Sequence, residues 1–238
     1  MLADSNFPAY AVKGKTKGAK IHYFQRLYAD YCQLHLAYAT DKPFAISGLE
    51  QRFTQQLEDQ SGAGVFHEFR GRCLLWRRRD EVEKLERIDF RTARYESHNA
   101  HKPPSWSFMA YTGCISYLDV PGHTVNWKDL DLRLTGNAQG SWLYAQQPLI
   151  FNAQALDFKR NSQLFPGKWL IAYDEPKAAR DKDKCVVLGQ NSDRLSYILI
   201  VRPVGTDETG TLLYERAGAG YIPYEWITSQ NATTVLIV

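Results

Sequence analysis

The chain has 238 residues, 44% hydrophobic and 23% charged. That balance suits one large or two small globular domains and excludes a disordered chain. Its net charge of +3 is too mild to grip a phosphate backbone, so no nucleic acid is expected as a partner. The longest apolar run, 196–201 (SYILIV), is strand-sized and far short of the roughly 18 residues of a membrane span, so no membrane partner is expected either.

Cys32, Cys73, Cys114 and Cys185 form no C-x-x-C pair. The N-terminal stretch also lacks the apolar core of a signal peptide, so reduced thiols and a cytoplasmic location are expected. Residues 1–20, with the run KGKTKGAK, read as a flexible basic lead-in. Residues 21–100 read as a helical segment. Phe24, Leu27, Tyr28, Tyr31 and Leu34 recur at spacings of three and four, the signature of one apolar helix face. Asp41 is placed to cap a second helix with Pro43 in its first turn and Phe44, Leu49, Phe53 and Leu57 as its stripe. A third helix is predicted over VFHEFRGRCLLWRRR, with Phe66, Phe69, Cys73 and Trp76 on one side and Arg77–Arg79 at its C-terminal end, where the helix dipole favours cations.

From residue 101 to 238 the pattern changes to β-prone pieces: CISYLD, DLDLRL, SWLYAQQPLIF, KWLIAYD, KCVVLGQ, LSYILIVRP, TLLYERAG and TTVLIV. Gly, Pro, Asn and Asp separate them, and no amphipathic helix intervenes. The predicted fold class is therefore α+β, with N-terminal helices packed on a mainly antiparallel β-sandwich or barrel-like sheet. The two segments are expected to form one continuous unit.

The search for chemistry is mostly negative. There is no phosphate-cradling P-loop and no nucleophile elbow, and the two GAG triplets at 62–64 and 218–220 read as turns. His98 and His101 lack a third ligand nearby, so no metal is expected, and no cofactor. Asp174–Glu175 reads as a polar turn, because neighbouring carboxylates do not set the separation that glycoside hydrolysis needs. In the block PPSWSFMAYTGCISY from Pro103 to Tyr117, the prolines hold the chain extended. Ser105-Trp106-Ser107-Phe108 alternates like a strand with Trp106 and Phe108 on its buried face, and Gly113 marks a turn. A stacking platform of exposed aromatics is the other use for such a block, and it would suit a carbohydrate- or small-ligand-binding β-sandwich.

These stretches resemble the region downstream of the core in fungal heterokaryon-incompatibility (HET) domain proteins. PPSWSF is similar to the family's Pro-Ser-Trp-Ser-Trp block, here Pro104, Ser105, Trp106 and Ser107, followed by its glycine, Gly113. DKPFAISGL resembles its helix start, carrying Asp41, Lys42, Ser47, Gly48 and Leu49. RCLLWRRR resembles its Leu-Leu-Trp helix end at Leu75 and Trp76. LLYERAGAG resembles its late segment, with Tyr214, Glu215, Arg216, Gly218 and Gly220. The resemblance runs in order from about residue 21 to Val238. Two departures stand out: Phe108 replaces the second Trp, and no counterpart of the family's core lies within these residues. The family's cell-death response after fusion of unlike hyphae is attributed to that core, so its proposed kinship with NAD-cleaving domains attaches to no residue here. The resemblance implies a non-catalytic module of fungal nonself recognition that works through protein contacts, with full-length relatives as possible partners.

Overall fold

The computed structural model describes residues 7, 12–34, 36–80, 84–91, 100–121, 124–137, 139–159, 169–175 and 179–238. Helix α1 spans Lys17–Tyr31, and the Thr16 side-chain oxygen accepts from the Ala19 N–H at 3.3 Å to cap it. Its buried face carries Ile21, Phe24 and Tyr28, while Leu34 lies beyond the helix and is exposed. Within its described part, the segment 1–20 is not the loose lead-in its composition suggests. The cap at Thr16 starts the helix despite Gly18, and Phe7 and Val12 are buried in the main core. Phe7 packs edge-on against Phe53 with ring centres 6.1 Å apart.

Helix α2, Lys42–Leu57, follows a single 3-10 turn at Ala39–Asp41. Asp41 occupies the N-cap position and Pro43 the first turn, as the sequence predicts, yet the Asp41 side chain makes no capping hydrogen bond. Ile46, Leu49 and Phe53 form its buried stripe. The GAG at 62–64 is indeed a turn. Strands β1 (Ser61–Gly62) and β2 (Val65–Phe66) pair through a two-residue connection in which Ala63 and Gly64 both have positive φ, 52° and 85°. That geometry matches the right-handed twist of a tight hairpin.

The predicted third helix is not formed. The segment holds β2, a 3-10 turn at His67–Phe69, a one-turn helix α3 at Arg70–Cys73 and strand β3 at Trp76–Arg78. Gly71 gives helix no support, and its bare Cα is needed elsewhere: an added Cβ would lie 2.4 Å from the Trp127 ring. Arg77 and Arg78 thus sit in a strand paired with β4 (Ile115–Tyr117), not at a helix end. The 105–108 alternation is likewise no strand. Ser107 caps a 3-10 turn at Phe108–Ala110 by accepting from the Met109 N–H at 3.1 Å, and Ser105 to Phe108 are all buried. Gly113 has φ +94°, the turn conformation its position predicts.

The C-terminal half is a barrel. Its strands are β5 (Val125–Trp127), β6 (Asp131–Arg133), β7 (Ile150–Phe158), β8 (Leu170–Tyr173), β9 (Lys184–Asn191), β10 (Leu195–Thr206), β11 (Leu212–Pro223) and β12 (Ile227–Ile237). The order β9-β10-β11-β12-β7 closes on itself where Leu156 of β7 pairs with Cys185 of β9. Of the predicted sandwich or barrel-like sheet, the barrel is what forms. All pairings are antiparallel except β11 with β12. Strands β5, β6 and β8 add to the rim, and Trp142–Tyr144, expected within a strand, forms a 3-10 turn. Successive residues of β10 alternate between two clusters. Leu199 and Val201 join the core shared with the helices, and Ile198 and Ile200 a second cluster with Trp226. Burial on both faces explains the unbroken apolar run 196–201.

Candidate functional site

Several of the residues that carry the resemblance, Lys42, Trp76, Ser105, Trp106, Ser107 and Arg216, meet in one buried seam between the helical half and the barrel. Its centre is Arg216 on β11, whose side chain is wholly buried. Its guanidinium donates to both Asp174 carboxylate oxygens, Nε at 2.9 Å and Nη2 at 3.2 Å. It also donates to the carbonyls of Leu74 at 2.9 Å and Trp76 at 2.5 Å, and lies 3.3 Å from the centre of the Trp76 ring. A forked, planar cation suits this role as no lysine could. Burial pushes the Asp174 carboxyl up from its ordinary value, and Arg216 opposes the shift. Asp174 is therefore a structural ion partner, not half of a polar turn.

The proline–serine–tryptophan block locks the same seam. Pro104 is half-buried and its carbonyl accepts from the Ser107 N–H at 3.0 Å. Ser105 Oγ accepts from the Arg216 N–H at 2.9 Å, and Ser105 N–H donates to the carbonyl of Val238 at 2.9 Å. Trp76 Nε1 donates to the Trp106 carbonyl at 3.0 Å, and Ser107 Oγ donates to that of Ala63 at 2.7 Å. Lys42, the first residue of α2, donates to the carbonyls of Phe108 at 3.1 Å and Tyr111 at 2.7 Å. Burial lowers its affinity for a proton. Leu49, Leu75 and Tyr214 fill the core around these bonds, while Glu215 faces outward and pairs with Arg87 at 3.0 Å.

Gly218 and Gly220 stand inside β11, so the second GAG is not a turn. An added Cβ would sit 2.3 Å from the Ala172 carbonyl oxygen at Gly218 and 2.1 Å from that of Leu170 at Gly220. The glycines let β8 approach the barrel wall. Ser47 Oγ bonds back to the Phe44 carbonyl at 2.8 Å. Nothing in the structure requires a glycine at Gly48, where an added Cβ would meet no atom within 4 Å.

Sequence reasoning passed over Glu50, although its spacing from Ile46 and Phe53 puts it on the apolar stripe of α2. It is 1% exposed and accepts from the Gly64 N–H at 3.2 Å and Trp142 Nε1 at 3.1 Å. Burial pushes its carboxyl from about 4.5 up to about 7, against these donors. Between those values the folded chain holds a proton that the unfolded chain has released, so stability falls as pH rises through the window. The full drop is on the order of 3 kcal/mol. Urea denaturation from pH 4.5 to 8 is expected to show this slope in the wild type and a flatter one in Glu50→Gln. Parallel profiles would remove Glu50 as its source.

Among the described residues, no group of three or more His, Cys, Asp or Glu side chains could hold a metal. His98 lies outside the described residues, and His101 bonds the Ala145 carbonyl at 2.7 Å. The four cysteines are free thiols. Asp174, Glu175 and Glu215 meet in a space of only about 90 Å³, alongside Arg87, Arg202 and Arg216. Trp106 and Trp142 are buried. Trp127 and Trp169 are partly buried, each tilted by 40° or more from its nearest ring partner.

The surface is more distinctive at the α1–α2 connection. Leu34, Tyr38 and Tyr144 are each more than half exposed. Phe44 lies 6.5 Å from the Tyr144 ring, and Phe44 and Ala39 rest on Ile88 and Phe90. An adjoining cleft of about 590 Å³ is lined by Leu34, Leu36 and Ile88 and also by Cys32, Lys42 and Glu86. No described helix is long and apolar enough to cross a membrane. No protein-family model matches this chain, nor does any curated protein or solved structure.

Proposed function

We propose that the chain is a non-catalytic module of the heterokaryon-incompatibility type, acting in the fungal cytoplasm through contact with another protein. Relatives that carry the family's core are the first partners to test. The observation that carries the reading is the use made of the resemblance residues. Lys42, Trp76, Ser105, Trp106, Ser107, Arg216, Gly218 and Gly220 serve packing, hydrogen bonding and close backbone approach. Of these, Lys42 also lines the cleft of about 590 Å³, and Arg216 lines only a space of about 90 Å³. The exposed apolar side chains Leu34, Tyr38 and Tyr144 are the candidates for such a contact surface.

A stacking platform for sugars has less support, because Trp106 and Trp142 belong to the core. The purified chain, incubated with NAD and with a panel of ester and glycoside substrates, is expected to give no saturable turnover. Saturable turnover that co-purifies with the chain through several steps would sink the non-catalytic reading.

A further inference from the structure

A second cleft, of about 750 Å³, opens between the start of α1, the segment 68–72 and the end of β5. It lies apart from the seam and uses none of the resemblance residues. Its lining is rich in cations: Lys17, Arg70, Arg72 and Lys128, with His22 beside them. Two of these charges are compensated, Lys17 by Glu68 at 2.5 Å and Arg70 by Asp129. The other two, Arg72 and Lys128, have no carboxylate within 4 Å among the described residues, which leaves the cleft with an excess of two positive charges.

Arg72 is the unusual member. It is only 6% exposed, yet no carboxylate bonds it, and Asp119 acts on it only through space. Nη2 donates to the carbonyls of Val120 at 3.0 Å and Pro121 at 3.3 Å, and Nη1 lies 3.3 Å from His22 Nε2. A buried guanidinium with no carboxylate bonded to it is costly to maintain, so an anion from outside would relieve it. The neighbouring Arg70 Nε is also buried with no hydrogen-bond partner. The first turn of α1 lines the same cleft through Thr16, Lys17 and Gly18. Apart from the Ala19 N–H, which bonds the Thr16 side chain, its leading N–H groups lack intrahelical acceptors, and the dipole of this 15-residue helix places positive charge at this end.

The opposite wall is aromatic and fixed. Trp127 lies against Gly71 and Gly189, where a Cβ would meet the ring at 2.4 and 2.9 Å. Its ring centre is 6.0 Å from the Arg72 guanidinium. An indole held this way offers a planar ligand a stacking surface close to the uncompensated charge.

We propose that this cleft binds a phosphate ester carrying a planar ring, of the nucleoside monophosphate class. The ring lies on Trp127, and the phosphate is held by Arg72, Lys128 and the N-terminus of α1. The volume is that of an ordinary small-molecule site, and a phosphate at a helix start next to a guanidinium uses two independent anion-binding devices.

The test is a titration of the full chain with adenosine monophosphate, followed through its indole N–H resonances, with the Trp127 signal assigned from Trp127→Phe. Saturable movement of that signal is expected, weaker with adenosine or inorganic phosphate alone. Arg72→Gln is expected to reduce affinity about tenfold, the loss of one charge-assisted bond. Because Arg72 is buried, a fold check accompanies Arg72→Gln, and Lys128→Gln serves as the second variant, expected to weaken binding of the monophosphate as read from the Trp127 signal. A Trp127 resonance that stays still to 10 mM on the order of the weakest useful affinity, or that moves equally with sodium chloride, overturns the proposal.

Discussion

Arg216→Met is expected to destabilise the chain by about 3–5 kcal/mol, the usual result of removing one partner of a buried ion pair. That is a large part of the roughly 5–15 kcal/mol that holds an ordinary domain together. The change strands the Asp174 carboxylate, 4% exposed, and leaves the Leu74 and Trp76 carbonyls without their donors. Asp174→Leu alone strands the guanidinium in turn. The double variant removes both charges together, so its cost is expected to fall well below the sum of the two singles. Arg216→Lys keeps the charge but cannot span both carboxylate oxygens and two carbonyls, and is expected to behave more like Met than like the wild type. Urea denaturation midpoints of the four proteins check this. Small, additive losses in both singles would mean that the pair behaves like a surface contact worth under about 1 kcal/mol.

Trp106→Ala is expected to cost about 3–5 kcal/mol, the range for emptying a buried aromatic site. Trp106 is completely buried and meets Phe151 edge-on with ring centres 6.4 Å apart. Its indole nitrogen, however, has no hydrogen-bond partner. The bond at this position runs the other way, from Trp76 Nε1 to the Trp106 backbone carbonyl, and survives any side chain. Trp106→Phe removes an unsatisfied N–H along with some volume, and the two effects oppose each other. A loss under about 1.5 kcal/mol is therefore expected for Phe, as for a swap that nearly conserves volume. Thermal unfolding of the two variants separates the contributions. If Phe costs as much as Ala, the indole nitrogen has a partner, or the cavity does not relax.

The parts of this architecture that depend on local period were legible from the chain. The stripes of Phe24 and Tyr28 in α1 and of Leu49 and Phe53 in α2 announce their helices, and Pro43 announces where the second begins. The β-prone runs after residue 110 fall on or beside observed strands, with Trp142–Tyr144 the exception, because a cap from Ser141 to the Leu143 N–H closes a 3-10 turn there. What was not legible depends on distant partners. Arg216 and Asp174 stand 42 positions apart, and no local pattern links them. Ser105 and Ser107 imitated the polar face of a strand, because a serine serving a buried backbone group looks the same in sequence as one facing water. Gly218 and Gly220 read as turn residues in isolation, although two glycines at strand period can also mark a neighbouring backbone passing close to one face. Glu50 was readable and overlooked: a carboxylate among apolar residues at helical spacing signals a buried acid. The cleft at Arg72 and Trp127 has no sequence signature, since three separate segments form it.

The seam explains why short resemblance motifs lie so far apart along the chain. Leu75 and Trp76, the 104–107 block and the 214–220 segment are one packed joint in space. Damage to any of them is expected to loosen both halves together. The proposed protein contact is placed on surfaces that the joint holds in position, among them the exposed side chains Leu34, Tyr38 and Tyr144.

The most direct test of that account is a calorimetric titration of the purified chain against the isolated core of a heterokaryon-incompatibility protein, using the wild type and Leu34→Asp/Tyr38→Asp. Saturable binding is expected for the wild type, weakened about tenfold or more by the two charges placed on the apolar face. Thermal unfolding should be unchanged, because both side chains are exposed. Binding that the double variant leaves intact, or no binding by a wild-type chain shown to be folded, would contradict it.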